Sequence, residues 1–135
     1  MIKLSKEKPY EDACKILGLR PVANYKSYKL TDETRNFIKL ETVAKALNEG
    51  WKPTTIDPKE VRCYVWGWNY TDNRKPSGLL IVTSRAELGG AYAAVGTSLE
   101  FKDEDTAKEF ARMCKPMIVK YLFGRDDHEN FKFDF

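Results

Sequence analysis

The amino-acid sequence predicts an α+β fold of two layers, in which helices cover an antiparallel meander of three strands. Three segments repeat their apolar residues at helical spacing, and the chain between the second and third of them carries strand-like apolar patterns. Short turns rich in Gly, Pro, Asn and Asp separate these strands, which favours antiparallel pairing of neighbours. The predicted order is α-α-β-β-β-α, and residues 1–135 are expected to form a single domain with one core.

The first two predicted helices have recognisable ends. Residues 9–17 carry apolar side chains at i, i+3, i+4 and i+7, and Gly18 supplies a left-handed stop. The second helix begins at Thr31 or Asp32, either of which is a good N-cap, and Gly50 occupies its stop position. Both helices are therefore expected to bury one apolar stripe.

The third predicted helix runs from about Glu104 to Phe123. Asp103 is a suitable N-cap, and Gly124 closes the helix after a long apolar stripe. Pro116 lies inside this stripe and removes one backbone hydrogen bond, so the sequence predicts a kink near Arg112.

The strand region lies between these helices and is followed by a short C-terminal segment. Turns are predicted at residues 72–76 and 89–90, and the three strands at residues 61–70, 78–83 and 91–101. In residues 125–135 a polar stretch precedes three alternating phenylalanines. This segment is expected to be either a fourth strand at the edge of the sheet or a loose tail.

The first strand carries an aromatic row, Tyr64, Trp66, Trp68 and Tyr70, at every second position. Side chains alternate between the faces of a strand, so the four rings share one face and offer roughly 600–1,000 Å² for burial. Two arrangements fit the sequence. In the first, the rings form the core against the helices. In the second, the rings form an exposed platform, and the residues that meet the helices are Val65, either Leu80 or its neighbours, and Val95. The sequence favours the core arrangement, because buried aromatic residues are commoner than exposed platforms.

The residue types that carry most enzyme chemistry are scarce. The one histidine, His128, lies in the acidic C-terminal segment, and the three cysteines are far apart without a Cys-x-x-Cys pair. No phosphate-binding loop, dinucleotide fingerprint or zinc motif is present. We therefore expect no enzymatic activity, no catalytic residues, no metal and no cofactor. Reduced cysteines and the lack of a long apolar run predict a cytoplasmic protein without a membrane partner.

Binding is the remaining class of function. A small rigid domain with aromatic and arginine side chains on a sheet suits a protein interface, and the C-terminal segment suits homo-oligomerisation by strand addition. Rings beside basic residues also suit single-stranded nucleic acid, although a net charge of +3 is modest. The candidate binding residues for either partner are Trp66, Trp68, Tyr70, Arg62, Arg74, Lys75 and Arg85.

Several segments resemble a family of small uncharacterised proteins of Bacteroidetes phages and mobile elements. Residues 39–53, which include Ala-Leu-Asn-Glu-Gly-Trp-Lys-Pro, carry most of the resemblance, and residues 10–19 and 95–102 add to it. It spans about residues 10–123. The resemblance implies a phage-like accessory protein in a bacterial cytoplasm that binds a host or viral macromolecule, with inhibition of a host defence system as one form. The alternative function is binding of single-stranded nucleic acid by the aromatic strand.

Overall fold

The structure is a computed structural model that describes residues 2–21, 30–52, 61–71, 76–86 and 99–135. These residues form an α+β fold, as the sequence predicts. The helices are α1 (Pro9–Leu17), α2 (Asp32–Asn48) and α3 (Glu104–Phe123), and the strands are β1 (Val61–Thr71), β2 (Pro76–Ala86) and β3 (Phe131–Phe133). A short 3₁₀ turn, His128–Asn130, leads into β3.

The helix ends follow the capping chemistry of the sequence. Gly18 takes a left-handed conformation at the end of α1, where its N–H donates to the carbonyls of the last turn. Thr31 rather than Asp32 caps α2, because the Thr31 Oγ1 accepts a hydrogen bond from the Thr34 N–H at 3.2 Å. At the other end of α2 the C-cap is Glu49, with φ of 50°, one residue before the predicted stop at Gly50.

Helix α3 has the predicted bounds and an irregularity close to the predicted place. The Asp103 carboxylate accepts the Thr106 N–H at 2.7 Å, and Gly124 ends the helix in a left-handed conformation. The non-helical residue is Cys114, with φ of −112° and ψ of 18°, two residues before Pro116. The distortion is therefore centred on Cys114 and not on Arg112, because the turn between Arg112 and Pro116 has to relieve the clash of the proline ring with the Arg112 carbonyl.

The sheet is mixed, which corrects the prediction of a purely antiparallel meander. Strands β1 and β2 pair antiparallel along their whole length, from Val61 with Ala86 to Thr71 with Pro76. Strand β3 is added to the other edge of β2 and runs parallel to it. The C-terminal segment thus contains the fourth predicted strand, and the order among the described residues is α-α-β-β-α-β.

The third predicted strand lies mostly outside the described residues. The two predicted turns, at residues 72–76 and 89–90, fall there too, apart from Pro76 at the start of β2. Within the described part, Phe101 forms an antiparallel bridge with Cys63, in which each residue donates its N–H to the carbonyl of the other. This bridge lies on the edge of β1 that β2 does not use.

The core lies between one face of the sheet and the helices. Helix α3 packs on β1 and β2, α2 packs on α3, and α1 packs on α2. The three cysteines, Cys14, Cys63 and Cys114, are buried and form no disulfide. Among the largest fully buried side chains are Phe101, Phe131, Leu40, Leu47 and Leu80.

Candidate functional site

The aromatic row of β1 lies on the face of the sheet that points away from the helices. On the helix-facing side, Cys63 and Val65 are almost completely buried, as is Leu80 of β2. On the opposite side, Trp68 is 54% exposed, and Tyr64 and Trp66 are partly exposed. The core arrangement that the sequence favours is therefore wrong. The platform arrangement describes the structure, although Val95, which belongs to it, lies outside the described residues.

Two glycines explain why the rings are excluded from the core. A Cβ atom at Gly67 would lie 3.1 Å from Cζ of Phe123 in α3 and 2.5 Å from the Leu79 carbonyl oxygen. A Cβ atom at Gly78 would lie 2.2 Å from the ring of Phe131. Phenylalanines from α3 and β3 therefore fill the space over the two strands on the helix side. Bulky side chains of β1 are left to the other side.

We define the open face as the described side chains on the side of the sheet away from the helices. In the ladder, Tyr64, Trp66 and Trp68 stand opposite Thr83, Ile81 and Leu79 of β2, and Lys132 of β3 stands beside Leu79. Residues directly opposite in a ladder share a face. The open face is therefore formed by Arg62, Tyr64, Trp66, Trp68, Ser77, Leu79, Ile81, Thr83 and Lys132.

The two indoles of the open face differ in freedom. The Trp66 Nε1–H donates a hydrogen bond to Thr83 Oγ1 on the opposite strand, which fixes the ring. The Trp68 ring stands 5.4 Å from the Trp66 ring, centroid to centroid, at an angle of 63°. This edge-to-face contact orients the Trp68 ring against Trp66 and leaves more than half of Trp68 accessible to solvent. Trp68 is thus an exposed ring that packs against the hydrogen-bonded ring of Trp66.

The basic candidates are only partly described. Arg62 stands at the end of the row, with Nη1 3.6 Å from Oε2 of Glu100, a carboxylate that is itself almost completely buried. Tyr70 and Arg85 occupy ladder positions on the same face as Trp66, but the description of them stops at their backbone. Arg74 and Lys75 lie outside the described residues. The structure therefore brings Arg62, Trp66 and Trp68 to one face and leaves the other four candidates without a described side chain.

Lys132 belongs to the open face although the sequence did not indicate it. It is exposed, and it stands two strands away from Trp68 in the same row of the ladder, across Leu79. No ion pair between described residues involves Lys132. Its position depends on the parallel register of β3, which pairs residues more than 50 apart in the chain. The alternation of Phe131, Phe133 and Phe135 was the one signal that could have placed it.

A cluster around Arg125 fixes the segment that carries Lys132. The Arg125 guanidinium pairs with the Asp127 carboxylate, donates to the Asn69 side chain and lies 4.8 Å from the centroid of Phe131. Hydrogen bonds from Arg125 and Asn130 hold the pKa of Asp127 well below its usual range. Phe131 is fully buried and stacks on Phe123 at 5.0 Å. Together these contacts hold β3 against β2.

The described titratable side chains include two buried thiols, a surface carboxylate at the start of α3 and the histidine of the C-terminal segment. Burial raises the pKa of Cys63, and it raises the pKa of Cys114 to about 12, so both thiols stay protonated at neutral pH. The carboxylate of Glu104 accepts a hydrogen bond from the Ser84 hydroxyl at 2.6 Å, which forms a surface contact at the start of α3. The Nε2 atom of His128 lies 3.9 Å from Oε2 of Glu129. In the described residues, no three His, Cys, Asp or Glu side chains are placed to share a metal ion.

Comparisons with known proteins add no relative. No protein-family model, no curated protein and no solved structure matches the chain. Within the described ranges, every helix is too short or too polar to cross a lipid bilayer.

Proposed function

We propose that the protein is a non-enzymatic binding module whose interface with another macromolecule is the open face. The exposure of Trp68 beside the fixed ring of Trp66 carries this proposal. An exposed tryptophan side chain is unfavourable in water, and tryptophan is a frequent hot-spot residue of interfaces. A partner that covers Trp68 buries a large ring at little entropic cost, because its support is already ordered.

The absence of enzymatic activity is part of the proposal. It is supported by the buried thiols of Cys63 and Cys114, whose pKa values are raised. Nucleophilic catalysis needs an activated nucleophile beside a base. The side chains described on the open face are aromatic, aliphatic, hydroxyl, amine and guanidinium groups, which suit contact rather than bond cleavage.

The resemblance to phage and mobile-element proteins supports a host or phage macromolecule as the partner. In this proposal the protein acts in a bacterial cytoplasm as an accessory protein, and inhibition of a host defence system is one form of that role. A homo-oligomer formed through the C-terminal segment would use the outer edge of β3, because the inner edge is already paired with β2.

Site-specific photocrosslinking tests the proposal in cells of a Bacteroidetes host. Trp68 is replaced by the photoreactive residue benzoylphenylalanine, and Phe135 is replaced in the same way as a control. Phe135 is also an exposed aromatic residue, but it packs toward α3 rather than on the open face. We expect a crosslinked adduct from position 68 that is absent from position 135. Equal crosslinking at the two positions would contradict the open face as the interface.

A further inference from the structure

We infer that the macromolecule bound by the open face is single-stranded nucleic acid, with a base stacked on Trp68 and the adjoining phosphate held by Lys132. This inference rests on the proposed function and names the class of partner. It also assigns part of the site to the C-terminal strand. Three observations support it: the charge of the hairpin, the spacing of the rings and the position of Lys132.

The hairpin that carries the rings also carries the net charge of the protein. Residues 61–86 contain four basic residues and one acidic residue, a net charge of +3 that equals the net charge of the whole chain. The rest of the protein is therefore neutral overall. Arg62 is partly balanced by Glu100, at 3.6 Å, whereas Lys132 adds a cation from outside the hairpin. This charge distribution complements a polyanion laid along the hairpin.

Three cations of α3, on the opposite side of the sheet, are engaged with rings or carboxylates. Lys108 and Arg112 of α3 lie over the Phe135 ring, at 5.9 and 5.2 Å from its centroid, and Lys115 lies 5.4 Å from that of Phe133. Lys108 and Arg112 also face carboxylates on their own helix at 3.7 and 3.9 Å. On the described strands, Lys132 forms no ion pair with a described residue, and it lies on the same side as the rings.

The ring spacing suits one extended strand and not a duplex. Alternate residues of a strand lie about 6.7 Å apart, and the centroids of the Trp66 and Trp68 rings are 5.4 Å apart, whereas stacked nucleotides in one strand are spaced by about 3.4 Å. Neighbouring rings of the row therefore match bases that are separated from one another, as in an extended single strand. A duplex hides the faces of its bases, so it has nothing to place on Trp68.

Lys132 supplies the phosphate contact at the ring that is most accessible. One row of the ladder crosses three strands, from Trp68 through Leu79 to Lys132. Because neighbouring strands lie about 4.8 Å apart, the backbones of Trp68 and Lys132 lie about 10 Å apart. A lysine side chain spans most of that distance and brings its ammonium group next to a nucleotide stacked on the indole. Asp134 follows two residues later, but it forms no ion pair with Lys132 among the described residues. The stacking ring and the cation are therefore combined only when β3 is docked.

Binding of fluorescein-labelled oligonucleotides, followed by anisotropy, tests this inference. The probes are 12-nucleotide oligo-dT, oligo-U and a DNA duplex, titrated between about 50 and about 200 mM salt. We expect salt-dependent binding of one or both single strands and much weaker binding of the duplex. The comparison of oligo-dT with oligo-U distinguishes DNA from RNA as the source of the ligand.

Matched variants assign the binding to the open face. Trp68→Ala is expected to weaken binding about 5- to 150-fold, the range for loss of one stacked base. Lys132→Ala is expected to lower the slope of log affinity against log salt by about 0.7, the value for one phosphate contact with a single strand. Phe135→Ala and Lys45→Ala, an exposed ring and an exposed lysine away from the open face, should leave both quantities unchanged. Circular dichroism checks that each variant is folded.

Failure of the inference and failure of the proposed function give different results. If no oligonucleotide binds while position 68 crosslinks to a polypeptide, the inference is wrong and the binding module stands with a protein partner. If oligonucleotides bind but Trp68→Ala and Lys132→Ala behave like the two controls, nucleic acid is bound elsewhere and the inference is wrong, while crosslinking at position 68 still decides the proposed function. Equal affinity for duplex and single strand would also overturn the inference. Lys132→Ala keeps the test decisive even if Trp68→Ala is poorly folded.

Discussion

Replacing Gly78 with alanine tests the packing that turns the aromatic row outward. The added Cβ atom would lie 2.2 and 2.4 Å from two ring atoms of Phe131 and 2.6 Å from the Trp68 carbonyl oxygen. Ordinary carbon contacts are about 3.5–4.0 Å, so the Phe131 ring has to move by more than 1 Å. The Phe131 ring has no room to move while β3 is docked. The centroid of the Phe123 ring lies 5.0 Å from its centroid, and Cζ of Arg125 lies 4.8 Å from it.

The size of the effect follows from two comparable costs. Overpacking a well-packed site costs about 1–3 kcal/mol. Releasing β3 instead exposes Phe131, whose burial contributes about 1.5–3 kcal/mol. We therefore expect Gly78→Ala to lower the free energy of unfolding by about 1–3 kcal/mol and to release β3 from β2.

Urea unfolding combined with hydrogen exchange measures both effects. The informative amide is that of Asp134, which donates to the Leu80 carbonyl at 2.9 Å only when β3 is docked. Ser77→Ala, one residue away, is the control for a change in the same strand. Gly78→Ala should also cost less in a Phe131→Ala background than alone, because the clashing ring is gone and only the contact with the Trp68 carbonyl oxygen remains. An unchanged free energy of unfolding with the Asp134 amide still protected would refute this account of the packing.

Three further predictions concern the caps and the buried groups. Asp103→Ala should lower the free energy of unfolding by about 1 kcal/mol, because α3 loses its N-cap, whereas Asp103→Asn should retain most of it in thermal unfolding. Partial burial would raise the pKa of Asp103, but the hydrogen bonds from Thr106 outweigh it and lower the pKa, so the contribution of this carboxylate is present above pH 3.8 and is lost as the pH falls. Burial raises the pKa of Cys114 from 9.0 to about 12, so the thiol loses its proton in the unfolded chain before it does so in the folded protein. The free energy of unfolding should therefore fall as the pH rises between these two values. In urea unfolding, Cys114→Ala should lack the part of this decrease that comes from the thiol. Asp127→Ala should speed hydrogen exchange in residues 125–133, because Arg125 and Asn130 both lose their shared acceptor. Mass spectrometry measures this exchange, and an unchanged rate would show that Phe131 alone holds the segment.

The sequence predicted the helices well because their signals are local. Gly18, Asp103 and Gly124 act on the turn of helix beside them, and α1 and α3 have the predicted bounds. The stop of α2 was displaced by one residue to Glu49, which takes the left-handed conformation ahead of Gly50. The parallel pairing of β3 was not predictable in this way, because it joins Gly78 to Phe131 across more than 50 residues.

The aromatic row shows the limit of a periodic pattern. Alternation placed Trp66 and Trp68 on one face of β1, which the structure confirms, but it did not say which face meets the helices. That choice depends on Phe123 and Phe131, which approach the sheet over Gly67 and Gly78. The same long-range contact brings Lys132 beside the row. Both the exposure of the rings and the added cation were therefore invisible in the hairpin sequence alone.

Acrylamide quenching of Trp68 fluorescence tests the central claim most directly. The protein has three tryptophans, so Trp51→Phe with Trp66→Phe leaves Trp68 as the one emitter. We predict red-shifted emission and quenching close to that of the urea-unfolded protein, because Trp68 is 54% exposed on the open face. Adding the oligonucleotide that binds best should protect it. Blue-shifted emission from a shielded Trp68 in the free, folded protein would contradict the claim that the aromatic row faces away from the helices.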